Sequence, residues 1–121
     1  MLLPTSFASV EADYVHLKNA VQIWDVACER QIEITGSDAG WLVQMLTPRD
    51  LSDLKLGKCY YVPMVDENGG MLNDPVLLKL EEDRYWFSIA DSDLLYWIKG
   101  LVYGLKLNVT VREPDVSPLG I

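Results

Sequence analysis

Residues 60–75 read Tyr60-Tyr-Val-Pro-Met-Val-Asp-Glu-Asn-Gly-Gly-Met-Leu-Asn-Asp-Pro75, and this run decides the fold. Asp66-Glu-Asn-Gly-Gly70 at its middle is the clearest turn in the chain, because Asn68-Gly69 tolerates the positive φ that tight hairpins require. Lys58 to Val65, ahead of the turn, is rich in Tyr and Val and reads as a strand. Met71 to Leu80, behind it, reads as the return strand, interrupted by Pro75. Proline cannot donate to a ladder, so it marks an edge, a bulge, or the start of pairing at Val76. The centre of the chain is therefore an antiparallel hairpin.

Downstream of the hairpin, Glu81-Glu-Asp83 is a solvated turn and Arg84-Tyr-Trp-Phe-Ser-Ile-Ala90 a strand. Ser92 to Val102 reads as a helix, started by the acidic pair Asp91 and Asp93, with Leu94, Leu95, Ile98, Leu101 and Val102 at the 3.6 period. Lys106 to Arg112 alternates Leu107, Val109 and Val111 inward as a last strand. Upstream, Arg30-Gln-Ile-Glu-Ile-Thr35 alternates as a strand that Gly36 ends. Ser37 and Asp38 start a helix with Ala39, Leu42, Val43 and Leu46 on one face, and Thr47-Pro48 stops it. Residues 50–57 form a short turn or loop. Val10, Tyr14, Leu17 and Val21 share one face of a first helix, with Ser9 as its N-cap.

The order α, β, α, β-β-β, α, β predicts an α+β fold. Its antiparallel sheet carries helices on one face, ferredoxin-like with an added hairpin strand. Residues 1–113 make one domain, and residues 114–121 read as an extended, linker-like segment. Trp41, Trp86 and Trp97 stand beside apolar neighbours and are expected in the core, and packing is also expected for Trp24.

A chain of 121 residues, half of it apolar and 23% charged, suits one globular domain and excludes a disordered chain or a disulfide-held miniprotein. The net charge of −8, with no basic cluster, argues against a nucleic-acid partner. The single histidine, His16, lies in a helical stretch among solvated residues and reads as a surface or capping histidine, which removes His-based triads. Cys28 and Cys59 stand far apart without a metal-ligand spacing, so no metal is expected, and the cysteines read as reduced and cytoplasmic. No stretch approaches the roughly 20 apolar residues of a membrane span.

The candidate chemistry sits on the hairpin. Asp74 stands just beyond the turn and directly before Pro75, a rigid position where pairing lapses and a buried or half-buried acid can be held. Tyr61 lies across the hairpin as an aromatic with a polar tip. On pattern alone two readings stay open: Asp74 as a functional acid, or as a bulge cap beside tyrosines that merely pack the sheet.

The runs Trp24-Asp-Val-Ala27, Arg30-Gln-Ile-Glu-Ile-Thr-Gly36, Leu46-Thr-Pro-Arg-Asp-Leu51 and Asp66-Glu-Asn-Gly-Gly-Met-Leu-Asn-Asp74 resemble the folate-dependent aminomethyltransferases, the glycine-cleavage T-proteins. A branch of that family, the tetrahydrofolate-dependent dimethylsulfoniopropionate demethylases, is more similar still. Its flavour runs through Met1-Leu-Leu-Pro-Thr5, Glu11-Ala-Asp-Tyr14, Glu29-Arg-Gln31, Arg49-Asp-Leu-Ser52, Cys59-Tyr-Tyr61, Asn73-Asp-Pro75 and Ser88-Ile-Ala-Asp-Ser-Asp93. The resemblance covers nearly the whole chain.

It implies tetrahydrofolate as the cofactor and one-carbon transfer to its N5. Asp74 matches the second acid of the family's Asp-Asp pair, near the reacting nitrogen, and is thus implied as both catalytic and folate-binding. Tyr61 matches an aromatic lining the folate cavity. The chain departs at Asn73, where the first Asp usually stands, at Leu78, often a pterin-side Tyr, and at Cys28-Glu29, where T-proteins have His-Met. These departures favour a sulfonium donor over an aminomethyl one. The alternatives are a true glycine-cleavage aminomethyltransferase and a folate-binding module without catalysis. Family members are longer and bind the folate between two similar halves, so this chain reads as an N-terminal fragment, inactive alone. Its uncovered inter-domain face is expected to drive homo-oligomerisation.

Overall fold

The computed structural model describes residues 4–89 and 94–121. In chain order the elements begin with α1 (Val10–Asn19), β1 (Trp24–Asp25), β2 (Arg30–Thr35), α2 (Ala39–Met45), β3 (Cys59–Tyr61) and β4 (Met64–Val65). They continue with β5 (Met71–Asn73), β6 (Val76–Glu81), β7 (Arg84–Ile89), α3 (Leu94–Leu105), β8 (Thr110–Arg112) and β9 (Leu119–Gly120). The end of a strand at Ala90, the acidic helix start at Asp91 to Asp93 and the Met1-Leu-Leu start lie outside the described residues.

Two units make up the chain. In the smaller, Met1–Ala27 with Pro118–Ile121, β1 pairs antiparallel with β9, so part of the tail read as linker forms a strand. Helix α1 is capped as expected, Ser9 Oγ accepting from Ala12 N at 3.1 Å. His16 bridges its Nε2 to the Val21 carbonyl at 3.2 Å, a local contact. No residue of α1 is buried.

The larger unit, Cys28–Ser117, holds a five-stranded sheet in the order β3-β6-β7-β2-β8, with every neighbouring pair antiparallel. The strands β8-β2-β7-β6, with α2 and α3 between them in sequence, have the expected ferredoxin-like arrangement, and β3 is the added edge strand. Strand periodicity sorts the side chains into two faces. One face carries Tyr60, Leu77, Phe87 and Ile32 in register, then Tyr85, Ile34 and Val111. With α2 (Ala39, Leu42, Val43) and α3 (Leu94, Ile98) these form the core.

Two expectations change. The strand foreseen over Lys58–Val65 splits into β3 and β4, which belong to different sheets. Pro63 lies at the break and Pro75 between β5 and β6; each removes an N–H, so the ladder cannot run through and β4–β5 forms its own ribbon. Trp41 and Trp97 are not core residues: they are 57% and 44% exposed. Each lies on the flank of a helix whose buried face is made by Leu42 and Val43, or by Leu94 and Ile98, about 100° per residue away. Trp24 is also exposed, at 54%.

Turn chemistry follows the residues. Asp66 Oδ1 accepts from Asn68 N at 2.8 Å and Gly70 N at 2.7 Å, and Gly69 takes φ +80°. Gly36 matters more. It leaves β2 at φ +136°, and a Cβ there would lie 2.2 Å from the Asn108 carbonyl oxygen. Beside it Asp38 Oδ2 accepts from Asn108 N at 2.7 Å, so this acid ties the β8 approach to α2 and makes no side-chain cap. Gly36→Ala is expected to cost about 1–3 kcal/mol, through strain and a forced shift of the chain at Asn108. Urea unfolding of the two proteins measures it, with an unchanged midpoint contradicting the close approach.

Candidate functional site

Within the larger unit, α2 and α3 both pack on the first sheet face, and neither covers the second. Register builds this face in two rows. Cys59, Leu78, Trp86, Glu33 and Arg112 run across all five strands. Tyr61, Val76, Ser88 and Gln31 run across four.

Asp74 precedes Val76 by two residues, so it stands on the same side, diagonal to Tyr61. The Tyr61 hydroxyl donates to Asp74 Oδ2, closing the pair. Asp74 N donates to Asn73 Oδ1 at 3.0 Å, which turns the carboxylate out of the ladder before Pro75. The two site residues read from the sequence are thus brought together by register. Their burial differs from expectation. Asp74 is exposed and Tyr61 is 55% exposed, since α2 and α3 lie on the opposite face. Cavities of about 620 Å³ at Phe7, Asp13 and His16, and of about 510 Å³ at Asp53, Lys55 and Tyr60, are lined by neither member of the pair.

The pair is electrostatically asymmetric. The hydrogen bond to Asp74 raises the Tyr61 phenol above its ordinary value, with desolvation and the nearby negative charge acting in the same direction. Tyr61 therefore remains a neutral donor across the neutral range, and Asp74 is the acceptor.

Two features of this region escape a reading by pattern. Arg49, on the loop after α2, donates from Nη1 to the Tyr61 carbonyl at 2.7 Å and lies over the Tyr60 ring, 4.3 Å from its centroid. A loop arginine carries no signal of such a contact. Glu33, at 2% exposure, accepts from Arg84 Nε at 2.8 Å, Trp86 Nε1 at 2.8 Å and Arg112 Nε at 2.7 Å. Burial by itself would raise this carboxyl, but the three donors outweigh it and hold the group below its ordinary range. Gln31 Nε2 donates to Ser88 Oγ at 2.9 Å in the neighbouring row. The middle of the face is fully bonded, while Asp74 and Tyr61 stand at its open end. No group of three or more His, Cys, Asp or Glu among the described residues could hold a metal.

A profile of the GCVT N-terminal domain matches residues 1–121, the whole of the chain. The chain belongs to the GCVT N-terminal domain family. Over all 121 residues it is 54% identical to "Dimethylsulfoniopropionate demethylase DmdA" of Ruegeria pomeroyi, covering 33% of that protein. To "Aminomethyltransferase" of Bacillus cytotoxicus it is 30% identical over 122 aligned residues, covering 98% of this chain and 33% of that one. The glycine cleavage system aminomethyltransferase T of Bartonella henselae shares the fold, with a TM-score of 0.71 at 22% identity over 80% of this chain and 27% of that one. This GCVT N-terminal domain thus spans about a third of the length of the curated relatives it matches. No helix among its described residues is long and apolar enough to cross a membrane.

Proposed function

We propose that this GCVT N-terminal domain supplies the acid of a tetrahydrofolate-dependent one-carbon transferase whose donor is dimethylsulfoniopropionate or a similar sulfonium. The observation that carries the reading is the Tyr61–Asp74 pair, held on one sheet face and open to a ligand. The 54% identity to a dimethylsulfoniopropionate demethylase supports the choice of donor.

The donor set suits the cofactor: a carboxylate and a phenol, rigidly spaced by two strands, face outward beside the apolar Val76 and Leu78. Tyr61 and Asp74 would hold the folate, and bound tetrahydrofolate would supply the accepting nitrogen. The Asp74 carboxylate would attract a cationic donor and hold it beside the bound folate. Its Oδ1, which Tyr61 leaves free, would be the atom that takes up a proton there. Tyr61 holds the carboxylate in one rotamer by its hydrogen bond. The same charge would stabilise an iminium-like aminomethyl donor, and the 30% identity to an aminomethyltransferase supports that as the second reading.

The test mixes the full-length protein with tetrahydrofolate and dimethylsulfoniopropionate and follows 5-methyltetrahydrofolate. Product supports the proposal. Folate binding by calorimetry without product moves the assignment to an aminomethyl donor or to a folate-binding module. Loss of both removes it. The free, exposed cysteines support a reducing, cytoplasmic setting. The exposure of Phe7 (90%), Ile23 (71%) and Tyr103 (88%) supports self-association of the 121-residue chain, which sedimentation velocity over a concentration series measures.

A further inference from the structure

Tyr61 sits at the end of a short edge strand, where pairing lapses. Strand β3 has three residues, lies at the edge of the sheet, and is followed by Pro63. Opposite it, β6 begins only at Val76, after Pro75. The last bond across this gap runs from Val62 N to the Pro75 carbonyl at 3.0 Å, and Pro75 has no N–H to return. At the Tyr61–Val76 pair, flanked by that bond, the Tyr61 carbonyl points away from β6 to the sheet edge, where no strand pairs with β3 among the described residues. Arg49 meets it there, with Nη1 at 2.7 Å.

The arginine is itself held at both ends. Its backbone is fixed to the C-terminal end of α2: Gln44 Nε2 donates to the Arg49 carbonyl at 2.9 Å, Gln44 Oε1 accepts from Leu51 N at 2.9 Å, and the buried Thr47 accepts at Oγ1 from Arg49 N at 3.2 Å. Its guanidinium lies over the ring of Tyr60, which packs against the core. No ion pair to a carboxylate is formed by Arg49 among the described residues. The group therefore touches the two consecutive residues of β3 that face opposite sides of the sheet: the ring of one and the carbonyl of the other.

We infer that Arg49 is a positioning residue, a strut from the α2 end of the core to the Tyr61 backbone that keeps the Tyr61 hydroxyl on Asp74. The inference rests on the reading of Tyr61 and Asp74 as the site. Arginine suits the place because one planar group can stack and donate at once; lysine would keep the charge and lose the stack.

The sign of one titration tests it. Losing a nearby cation would by itself raise the titration midpoint of a phenol, because the phenolate loses a favourable charge. Losing the strut lowers the midpoint, because the phenol is freed from the carboxylate that holds its proton. The 121-residue chain is labelled with 13Cζ-tyrosine, and the Tyr61 resonance is assigned with Tyr61→Phe. Wild type, Arg49→Met, Arg49→Lys and Asp74→Asn are titrated from pH 7 to 12, with far-UV circular dichroism confirming that each is folded.

The expected result is a Tyr61 midpoint lowered in Arg49→Met toward that of Asp74→Asn, with Arg49→Lys between. The Tyr61 Cζ shift at pH 7 should move in the same order, so the readout survives if the chain unfolds in alkali. A midpoint that rises or stays fixed in Arg49→Met, while Asp74→Asn lowers it, overturns the strut and leaves the pair intact. No change in Asp74→Asn overturns the pair, and the strut with it. A variant that is unfolded at pH 7 is replaced by Arg49→Gln, which keeps a donor, and read by the same rule.

Discussion

Asp74→Asn in the full-length protein is expected to lower the rate of one-carbon transfer by about 10²–10⁴-fold, the range for removing a positioned acid or base. Asparagine is nearly the same size and its amide oxygen can still accept from the Tyr61 hydroxyl, so the hairpin and the Tyr61 rotamer survive. What is lost is the negative charge that attracts a cationic donor and the capacity to take a proton. The split between constants is therefore diagnostic. The loss should fall on kcat and on the KM of the cationic donor, while the tetrahydrofolate dissociation constant changes by less than about ten-fold, one hydrogen-bond's worth. Steady-state kinetics beside calorimetry measure both. A variant that turns over like wild type would return Asp74 to the role of a turn residue. Tyr61→Phe should cost less, because it removes an orienting bond and leaves the charge.

Glu33→Ala is expected to destabilise the chain by about 1–3 kcal/mol, the cost of removing a buried acceptor of charged hydrogen bonds whose arginine partners stay partly in water. Glu33 joins β2 to its neighbours on both sides: Arg84 and Trp86 stand on β7, and Arg112 on β8. Its loss leaves two guanidinium groups and an indole N–H facing each other across the middle of the sheet. Denaturant unfolding gives the number, and a cycle with Arg112→Met separates the pair from the packing.

The same carboxylate has a pH signature. Its folded-state value lies below the ordinary carboxylate range, so its stabilisation is present above that range and is lost as pH falls through the folded value. Wild type should therefore lose its advantage over Glu33→Gln on acidification, and the thermal midpoints of the two should converge. Curves that stay parallel from pH 7 to pH 3 would show that the folded and unfolded chains take up this proton alike, and so that the three donors do not hold the carboxyl low.

Sheet and turn were legible because their causes are local. The alternation of Arg30–Thr35 and Arg84–Ile89, the Asn68-Gly69 corner and the proline before Val76 each act within a few residues, and all four stand where they were expected. Asp74 and Tyr61 were legible as residues across one hairpin, and although the β4–β5 ribbon intervenes, the β3–β6 register still sets them on one side. Their open surroundings were not. Whether a carboxylate is dry depends on which sheet face the helices choose, and that choice sums the apolar area of every element.

Tryptophan shows the limit most plainly. Trp41 and Trp97 have apolar neighbours in sequence, yet the buried side of each helix is set by what it meets in space, and both rings lie on the flank. The polar side of β2 is the converse. Glu33 sits in an ordinary alternating strand, but β7 and β8 close on it from both edges and bring Arg84, Trp86 and Arg112 from 51 to 79 residues away. Alternation sorts residues into two faces through backbone geometry alone. Which polar face is sealed, and by which distant donors, follows from strand order, a property of the assembled sheet.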